Sequence, residues 1–90
     1  MKKVTIVIPN YNGLKFMEPC MAALDKQLCR DFELLVVDNG STDGSVEWLK
    51  EHGLPSIFLE TNTGFSGAVN VGIRAADTPY VILLNNDTKV

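Results

Sequence analysis

Four short apolar runs divide the chain, and each one ends in a cluster of Asn, Asp, Ser or Gly. Apolar runs of this length, rich in β-branched residues and bounded by turn-forming residues, are typical of buried strands. The sequence therefore predicts four strands, over residues 4–8, 32–37, 56–59 and 80–84. We expect Pro9 to close the first strand, because proline has no N–H to donate to a sheet.

The three segments between these strands carry apolar residues at steps of three and four, which is typical of amphipathic helices. The spacing predicts helices over roughly residues 15–28, 45–52 and 67–76. The apolar face of the first helix is formed by Leu14, Met17, Met21, Leu24 and Leu28. The apolar face of the third is formed by Phe65, Val69, Ile73 and Ala76. Pro19 fits the first helix only near its start, and Asp43 or Ser41 is expected to cap the second.

Strands and helices alternate along the chain, so the sequence predicts an α/β fold with a parallel sheet covered on both faces. Right-handed crossovers place all strand-exit loops at one edge of such a sheet, which is where α/β proteins bind ligands. The four exit loops are residues 9–13, 38–43, 62–67 and 85–87. They hold the densest clusters of Asn, Asp, Ser and Gly, so the candidate chemistry lies there.

Composition excludes several classes of function. The 90 residues carry a formal net charge of −3, with 46 % hydrophobic and 21 % charged residues, as in one small globular domain. Nucleic-acid binding is not expected, because no basic run is present to neutralise phosphates. No apolar run is long enough for a membrane span or a secretory signal. Cys20 and Cys29 alone do not make a disulfide scaffold, so we expect a cytoplasmic compartment.

Two residues of the first two exit loops each have an ordinary and a functional interpretation. Taken alone, Asp38 is more often a turn or capping residue, but at the exit of a parallel strand it can accept a ligand's ring N–H or ribose hydroxyl. The ring of Tyr11 either covers the end of the sheet or stacks on a base. Stacking would not select the base, because every base has a π-face.

The segment from Gly64 to Gly67 opens the third helix, where two glycines would let backbone N–H groups approach an anion. An ordinary helix start with Phe65 in the core is compatible with this interpretation. The segment is not a dinucleotide-binding Gly-x-Gly-x-x-Gly motif, and no Walker A lysine is present. Asn70 either binds a ligand or ties two exit loops together, and the sequence favours neither.

Asp87 follows the last strand and, taken alone, is an ordinary turn residue. One carboxylate can also hold Mg²⁺ or Mn²⁺ when a diphosphate and waters complete the coordination. His52, Trp48 and the two cysteines are interpreted as structural, because no ligand or nucleophile pattern surrounds them.

Four segments in order are together far more specific than their single residues: VTIVIPNYNG (4–13), VVDNGSTDGS (36–45), NTGFSGAVNVG (62–72) and LLNND (83–87). Over essentially its whole length the chain resembles the N-terminal part of the family 2 glycosyltransferases, the inverting group with the GT-A fold. The resemblance implies a three-layer Rossmann-like half-domain with four parallel strands in the order 3-2-1-4. Residues 1–90 would form its nucleotide-sugar-binding half.

The resemblance also implies a site for a nucleotide-diphospho-sugar, a UDP- or dTDP-sugar. The positions that match the family's nucleotide-sugar-binding residues are Pro9, Asn10, Tyr11, Asp38, Asn39, Gly64, Gly67, Asn70, Asn85 and Asn86. Tyr11 would stack on the base and Asp38 would bond its edge. Asp87 matches the last acid of the family's Asp-x-Asp motif, which binds a divalent cation, Mg²⁺ or Mn²⁺, on the diphosphate.

Two positions depart from the family pattern. Asn85 stands where the first acid of Asp-x-Asp is expected, which weakens a ribose or metal contact there. Val69 stands where relatives often carry Arg, which removes a contact on the base side. Both departures resemble the rhamnosyltransferase-like branch, whose donors are often dTDP-sugars.

The family's general base and acceptor site lie downstream of the Asp-x-Asp motif. We therefore expect no catalytic residue in this chain, no turnover by these 90 residues alone, and a longer parent enzyme. The parent would transfer a sugar with inversion and would take part in bacterial-type cell-surface polysaccharide synthesis. We expect it in the cytoplasm or at the cytoplasmic face of the membrane.

Two other functions compete with this hypothesis. One is a non-catalytic α/β assembly module, and the other is a Rossmann-type dinucleotide-binding domain, which the first exit loop argues against. The fourth strand would be left as an exposed apolar edge in the isolated chain. Such edges pair readily with another chain, so we expect a homo-oligomer formed through this strand.

Overall fold

A computed structural model describes residues 3–25 and 32–85 of the chain. Within these residues, four parallel strands form one sheet in which, by chain order, the third strand lies beside the second, the second beside the first and the first beside the fourth, as expected. The elements in chain order are β1 (Val4–Asn10), α1 (Leu14–Asp25), β2 (Phe32–Asn39), α2 (Ser45–Glu51), β3 (Ser56–Leu59), α3 (Gly64–Ala75) and β4 (Tyr80–Leu83). No helix in this part of the chain is long and apolar enough to cross a membrane.

The prediction that Pro9 closes the first strand was wrong, because β1 continues through Pro9 and pairs with β2 as far as Asn10. The backbone explains why a proline is tolerated. The N–H groups of Tyr80 and Leu84 donate to the carbonyls of Lys3 and Val7, so alternate residues of β1 face β4. The backbone nitrogen of Pro9 points to the same side, but β4 pairs with β1 only as far as Val7. The missing N–H of Pro9 therefore removes no hydrogen bond from the sheet.

Other element boundaries differ by a few residues from those predicted. The first helix begins at Leu14, one residue before the predicted start, so Pro19 is its sixth residue and lies in the second turn instead of the first. Its predicted end at residue 28 lies outside the described residues. The second helix ends at Glu51, with His52 as its C-cap, and β2 continues to Asn39.

The core lies on both faces of the sheet. On one face, Ile6 and Ile8 of β1 pack with Met17 of α1 and Leu49 of α2. On the opposite face, the buried cluster is Val7, Val37 and Ala68. Successive residues of a strand point to opposite faces, so β1 contributes to both clusters. This central strand therefore connects all three helices to the sheet.

The apolar face predicted for α3 was wrong. The helix starts at Gly64, three residues before the predicted start, and buries Ala68 and Gly72. Phe65 and Ile73, which were assigned to the core, are 56 % and 49 % exposed. Periodicity weights large side chains, whereas this helix packs through small ones that let its backbone approach the sheet. A Cβ on Gly72 would collide with Cγ1 of Val7.

Substitution of Gly72 by Ala is therefore expected to destabilise the protein, although alanine is the better helix former. The added methyl group must displace Val7 in a close-packed core, at a cost of about 1–3 kcal/mol. The free energy of unfolding from urea titration measures this cost. Ala75→Val adds bulk to an exposed position of the same helix and is expected to change stability by less than about 0.5 kcal/mol. Equal stability of the Gly72→Ala variant and the unsubstituted protein would contradict the close approach.

Candidate functional site

A cavity of about 480 Å³ opens at the edge of the sheet where the strands end. Six of the residues that the sequence assigned to a nucleotide-sugar site line it: Pro9, Asn10, Tyr11, Asn39, Gly64 and Asn85. They come from the exits of β1, β2 and β4 and from the start of α3. The parallel topology thus brings together residues from position 9 to position 85 of the chain.

Of the remaining predicted residues, those that the structure describes do not line this cavity. Asp38 is fully buried, and Gly67 and Asn70 are on α3 outside the residues that line the cavity. The requirement for glycine at position 67 is explained by packing, since a Cβ there would collide with the Thr63 side chain. Asn86 and Asp87 lie outside the described residues.

Sequence reasoning missed several residues that line the cavity, including Asn12, Lys15, Phe16, Asn62 and Phe65. Phe65 is half-exposed on the wall that also holds Gly64, and Tyr11 is similarly exposed. A polar turn followed by an aromatic residue at the first turn of a helix could have indicated this position. Periodicity assigned Phe65 to the core instead.

The buried carboxylate of Asp38 accepts hydrogen bonds from two loops beside the cavity. Its Oδ1 accepts a hydrogen bond from Nδ2 of Asn10 at 2.9 Å, and its Oδ2 accepts one from the backbone N–H of Ser41 at 3.0 Å. Nδ2 of Asn10 lies 3.3 Å from Oγ of Ser41 as well. A buried carboxylate needs such partners, because desolvation without them is costly. Asp38 therefore joins the exits of β1 and β2.

Asn12 makes a second connection between the same two loops. Its backbone N–H donates to Oγ of Ser41 at 2.9 Å, and its Oδ1 accepts from the N–H of Thr42 at 2.7 Å. Asn12 has φ of 51°, in the left-handed region that Asn tolerates better than most residues. This backbone conformation turns the chain from β1 into α1 and leaves Tyr11 facing the cavity.

Asp43 accepts hydrogen bonds from the first residues of two helices with one carboxylate. Oδ2 accepts from the N–H of Leu14, the first residue of α1, at 2.9 Å, and Oδ1 accepts from the N–H of Ser45, the first residue of α2, at 3.0 Å. The prediction that Asp43 or Ser41 is the cap of α2 was wrong, because the N-cap is Gly44, which has no capping side chain, and Asp43 binds the helix from one residue before it. The bond to α1 was not foreseen. Partial desolvation raises the pKa of the Asp43 carboxyl, but bonds from the Ser45 hydroxyl and these N–H groups outweigh it, and the pKa lies below its ordinary value.

Asn39 joins the exit of β2 to the turn before α3. Its Nδ2 donates to Oδ1 of Asn62 and to the carbonyl of Gly64, both at 3.0 Å. Its Oδ1 accepts from the N–H and the hydroxyl of Thr63, at 2.8 and 3.0 Å. Gly40 follows with φ of +80°, and a Cβ there would lie 2.8 Å from the backbone of Thr61. The tie between exit loops that was considered for Asn70 is made by Asn39.

Residues 3–25 and 32–85 contain no group of three His, Cys, Asp or Glu side chains that could hold a metal ion. The predicted ligand, Asp87, lies outside these ranges. The structural interpretation of His52 agrees with its contacts, because its ring stacks on Trp48 at 3.9 Å between centroids, away from the cavity. Cys20 packs against the core, and burial raises the pKa of its thiol.

Comparisons with known proteins agree with this geometry. The sequence profile described as glycosyl transferase family 2 matches residues 5–90. The teichoic acid poly(glycerol phosphate) polymerase of Staphylococcus epidermidis is 30 % identical over 96 residues, which cover the whole chain and 13 % of that protein.

Two solved structures have the same fold. S. aureus TarS 1-349 in complex with UDP-GlcNAc superposes with a TM-score of 0.85 at 29 % identity, covering 94 % of this chain and 26 % of that one. Mannosyltransferase PcManGT from Pyrobaculum calidifontis, in complex with GDP-Man and Mn²⁺, superposes with a TM-score of 0.82 at 28 % identity, covering 94 % and 27 %. The chain spans less than a third of each of these three proteins.

Replacement of Asp43 by Ala is expected to cost about 1 kcal/mol at pH 7, because both helices lose the acceptor of their first N–H group. The folded-state pKa is depressed, so the stabilisation is fully present above the unfolded-state pKa of about 4 and is lost as pH falls through the folded-state value. Urea titrations of both proteins between pH 7 and pH 2 should converge at the acidic end. Asp77→Ala, which removes an exposed carboxylate before β4, is the control. A stability difference that is independent of pH would contradict the role of the ionised carboxylate.

Proposed function

We propose that the cavity at the sheet edge binds the nucleotide of a nucleotide-diphospho-sugar donor for inverting glycosyl transfer. The chain belongs to glycosyl transferase family 2, whose profile matches residues 5–90. One observation carries the proposal. The exit loops of β1 and β2 and the start of α3 converge on one cavity that combines a half-exposed tyrosine with a helix N-terminus. An aromatic ring suits a base, and a helix N-terminus suits a phosphate.

The described residues suggest distinct roles. Tyr11 stacks on the base, since the residue lines the cavity and is 52 % exposed. Gly64 lets the backbone at the start of α3 come close to a phosphate, and Lys15 adds a positive charge at the cavity. Asp38 is completely buried and holds Asn10 and Ser41, so a direct bond from Asp38 to a base edge requires these loops to rearrange.

We propose that a divalent cation, Mg²⁺ or Mn²⁺, accompanies the diphosphate. Asp87 would hold it, and when bound the ion would offset the charge of the leaving nucleoside diphosphate. Asn85 lines the cavity at the end of the described residues, and Asp87 is two positions further along the chain. The Mn²⁺ complex of PcManGT supports this proposal, as does the match to the family.

The donor and the reaction of the whole protein also stand as proposals. The comparison structures contain UDP-GlcNAc and GDP-Man, and the Asn85 and Val69 positions suggest a dTDP-sugar as a third class. The teichoic acid polymerase supports a role in building a bacterial cell-surface polymer. We place the protein in the cytoplasm or at the cytoplasmic face of the membrane. No general base is assigned within these 90 residues, and we expect no turnover from them alone.

Calorimetric titration of the chain with UDP, dTDP and GDP, each with and without Mn²⁺, tests the donor site. We expect weak binding that is strengthened by Mn²⁺, and the preferred base identifies the donor class. Tyr11→Ala is expected to weaken binding by about 1–3 kcal/mol through the loss of stacking. Tyr80→Ala removes an exposed tyrosine remote from the cavity and serves as its control. No binding of any nucleotide would refute the donor site and favour a non-catalytic assembly module, and binding that Mn²⁺ does not strengthen would refute the proposed cation.

The prediction of a homo-oligomer stays a proposal. Within the described residues, β4 pairs with β1 alone, and all four of its residues are exposed, from 37 % for Val81 to 65 % for Tyr80. An apolar strand with an unpaired edge readily adds a strand from another chain.

Sedimentation velocity over a range of concentrations tests this association. We expect a dimer that Ile82→Lys converts to monomer, because the substitution places a charge on the proposed edge. Ile73→Lys places the same charge on an exposed apolar position of α3 and is expected to leave the dimer intact. A monomer at all concentrations would exclude association through β4.

A further inference from the structure

We infer that Asn39 is a positioning residue rather than a ligand, and that its side-chain amide holds the turn at residues 62–64 in the conformation that forms one wall of the nucleotide cavity. The inference rests on the function proposed above for that cavity. It changes the role that the family resemblance implied for Asn39.

The hydrogen-bonding capacity of the Asn39 amide is already filled by the protein. Only 4 % of the residue is exposed. Nδ2 offers two N–H groups, which donate to Oδ1 of Asn62 and to the Gly64 carbonyl, and Oδ1 has two lone pairs, which accept from the N–H and the hydroxyl of Thr63. A ligand could engage this amide only by replacing one of these four bonds.

The same bonds determine the shape of the turn. Oδ1 of Asn62 also accepts from the backbone N–H of Gly64 at 2.8 Å, and Gly64 has φ of +80°. Gly40 packs against the backbone of Thr61 and Asn62 with no room for a Cβ. The turn is therefore held both by hydrogen bonds and by direct backbone contact with the exit of β2. Asn62, Gly64 and Phe65 line the cavity as a result.

In the amide of Asn39, Nδ2 donates two hydrogen bonds and Oδ1 accepts two, and this distinguishes Asn from Asp at position 39. A carboxylate could still accept both bonds from Thr63. It could not donate to the Gly64 carbonyl or to Oδ1 of Asn62, and it would face these two oxygens with negative charge. Asn62 could relieve the repulsion by turning its own Nδ2 inward, but it would then release the N–H of Gly64.

At position 62, in contrast, only the side-chain oxygen is used. It accepts from Nδ2 of Asn39 and from the N–H of Gly64, and a carboxylate accepts both equally well. Asn39→Asp and Asn62→Asp therefore make the same chemical change and add the same charge within one turn. They differ in whether donor groups of the turn are lost, which makes them a matched pair.

Hydrogen exchange of backbone amides in the nucleotide-free chain tests the turn directly. In Asn39→Asp, the Gly64 amide is expected to exchange at least tenfold faster, beyond any change in the β1 amides, which report global opening. In Asn62→Asp it is expected to stay within threefold of the unsubstituted chain. Unchanged exchange at Gly64 in Asn39→Asp, or equal acceleration in both variants, would overturn the inference.

Titration with UDP, dTDP and GDP in the presence of Mn²⁺ tests the link to binding. Asn62→Asp adds the same charge at a residue that lines the cavity, so its loss of affinity reports the effect of charge alone. Asn39→Asp is expected to raise the Kd of the nucleotide that binds best by tenfold or more, and by at least threefold more than Asn62→Asp does. Equal affinity losses would show that charge, and not the donors of Asn39, affects binding, and would overturn the inference. If the unsubstituted chain binds no nucleotide, the proposed function fails, while the exchange experiment still decides whether Asn39 holds the turn.

A milder substitution covers the case in which Asn39→Asp does not fold. Thr63→Val keeps the shape of the side chain and removes its hydroxyl donor to Asn39, leaving the other three bonds in place. We expect exchange at Gly64 to accelerate about fivefold, as for the loss of one hydrogen bond, and the Kd to rise by a similar factor. No change in either measurement would contradict the inference.

Discussion

The buried hydrogen bond between Asn10 and Asp38 is the contact on which the candidate site depends. It joins the last residue of β1 to the end of β2, where the register of the sheet places the two residues side by side. Ser41 completes the arrangement by donating its N–H to the same carboxylate. A fully buried carboxylate is stable only with such partners, so the loops above it must keep this geometry.

Each exit loop is then held by its neighbour rather than by its own backbone. Asp43 receives the first N–H groups of α1 and α2, and Asn39 fastens the turn before α3. No buried side-chain polar atom of the described residues lacks a partner. Hydrogen bonds between neighbouring loops thus hold the cavity wall in one conformation, and such preorganisation lowers the entropic cost of binding in general. The polar residues of the exit loops thus serve the shape of the site as much as its chemistry.

Sequence reasoning succeeded where local pattern and topology agreed. The strand order and the residues gathered at the sheet edge followed from alternating apolar runs and from the resemblance to family 2 glycosyltransferases. It failed for α3, because hydrophobic periodicity favoured Phe65 and Ile73 while the helix packs through Ala68 and Gly72. It also failed for Pro9, because the effect of a missing N–H depends on whether a neighbouring strand is present on that side.

The sequence alone determined the class of fold, the family and the loops that form the site, because these follow from periodicity, chain order and residue type. Tertiary structure decided which side chains face the cavity and which support it. Asp38 and Asn39 are adjacent in the sequence and match one segment of the family pattern. Both are nevertheless buried, and their side chains form hydrogen bonds with other residues of the protein. The physical reason is that a buried polar side chain must form hydrogen bonds, because it has lost its contact with water. Packing alone determines whether its partner is a ligand or another loop.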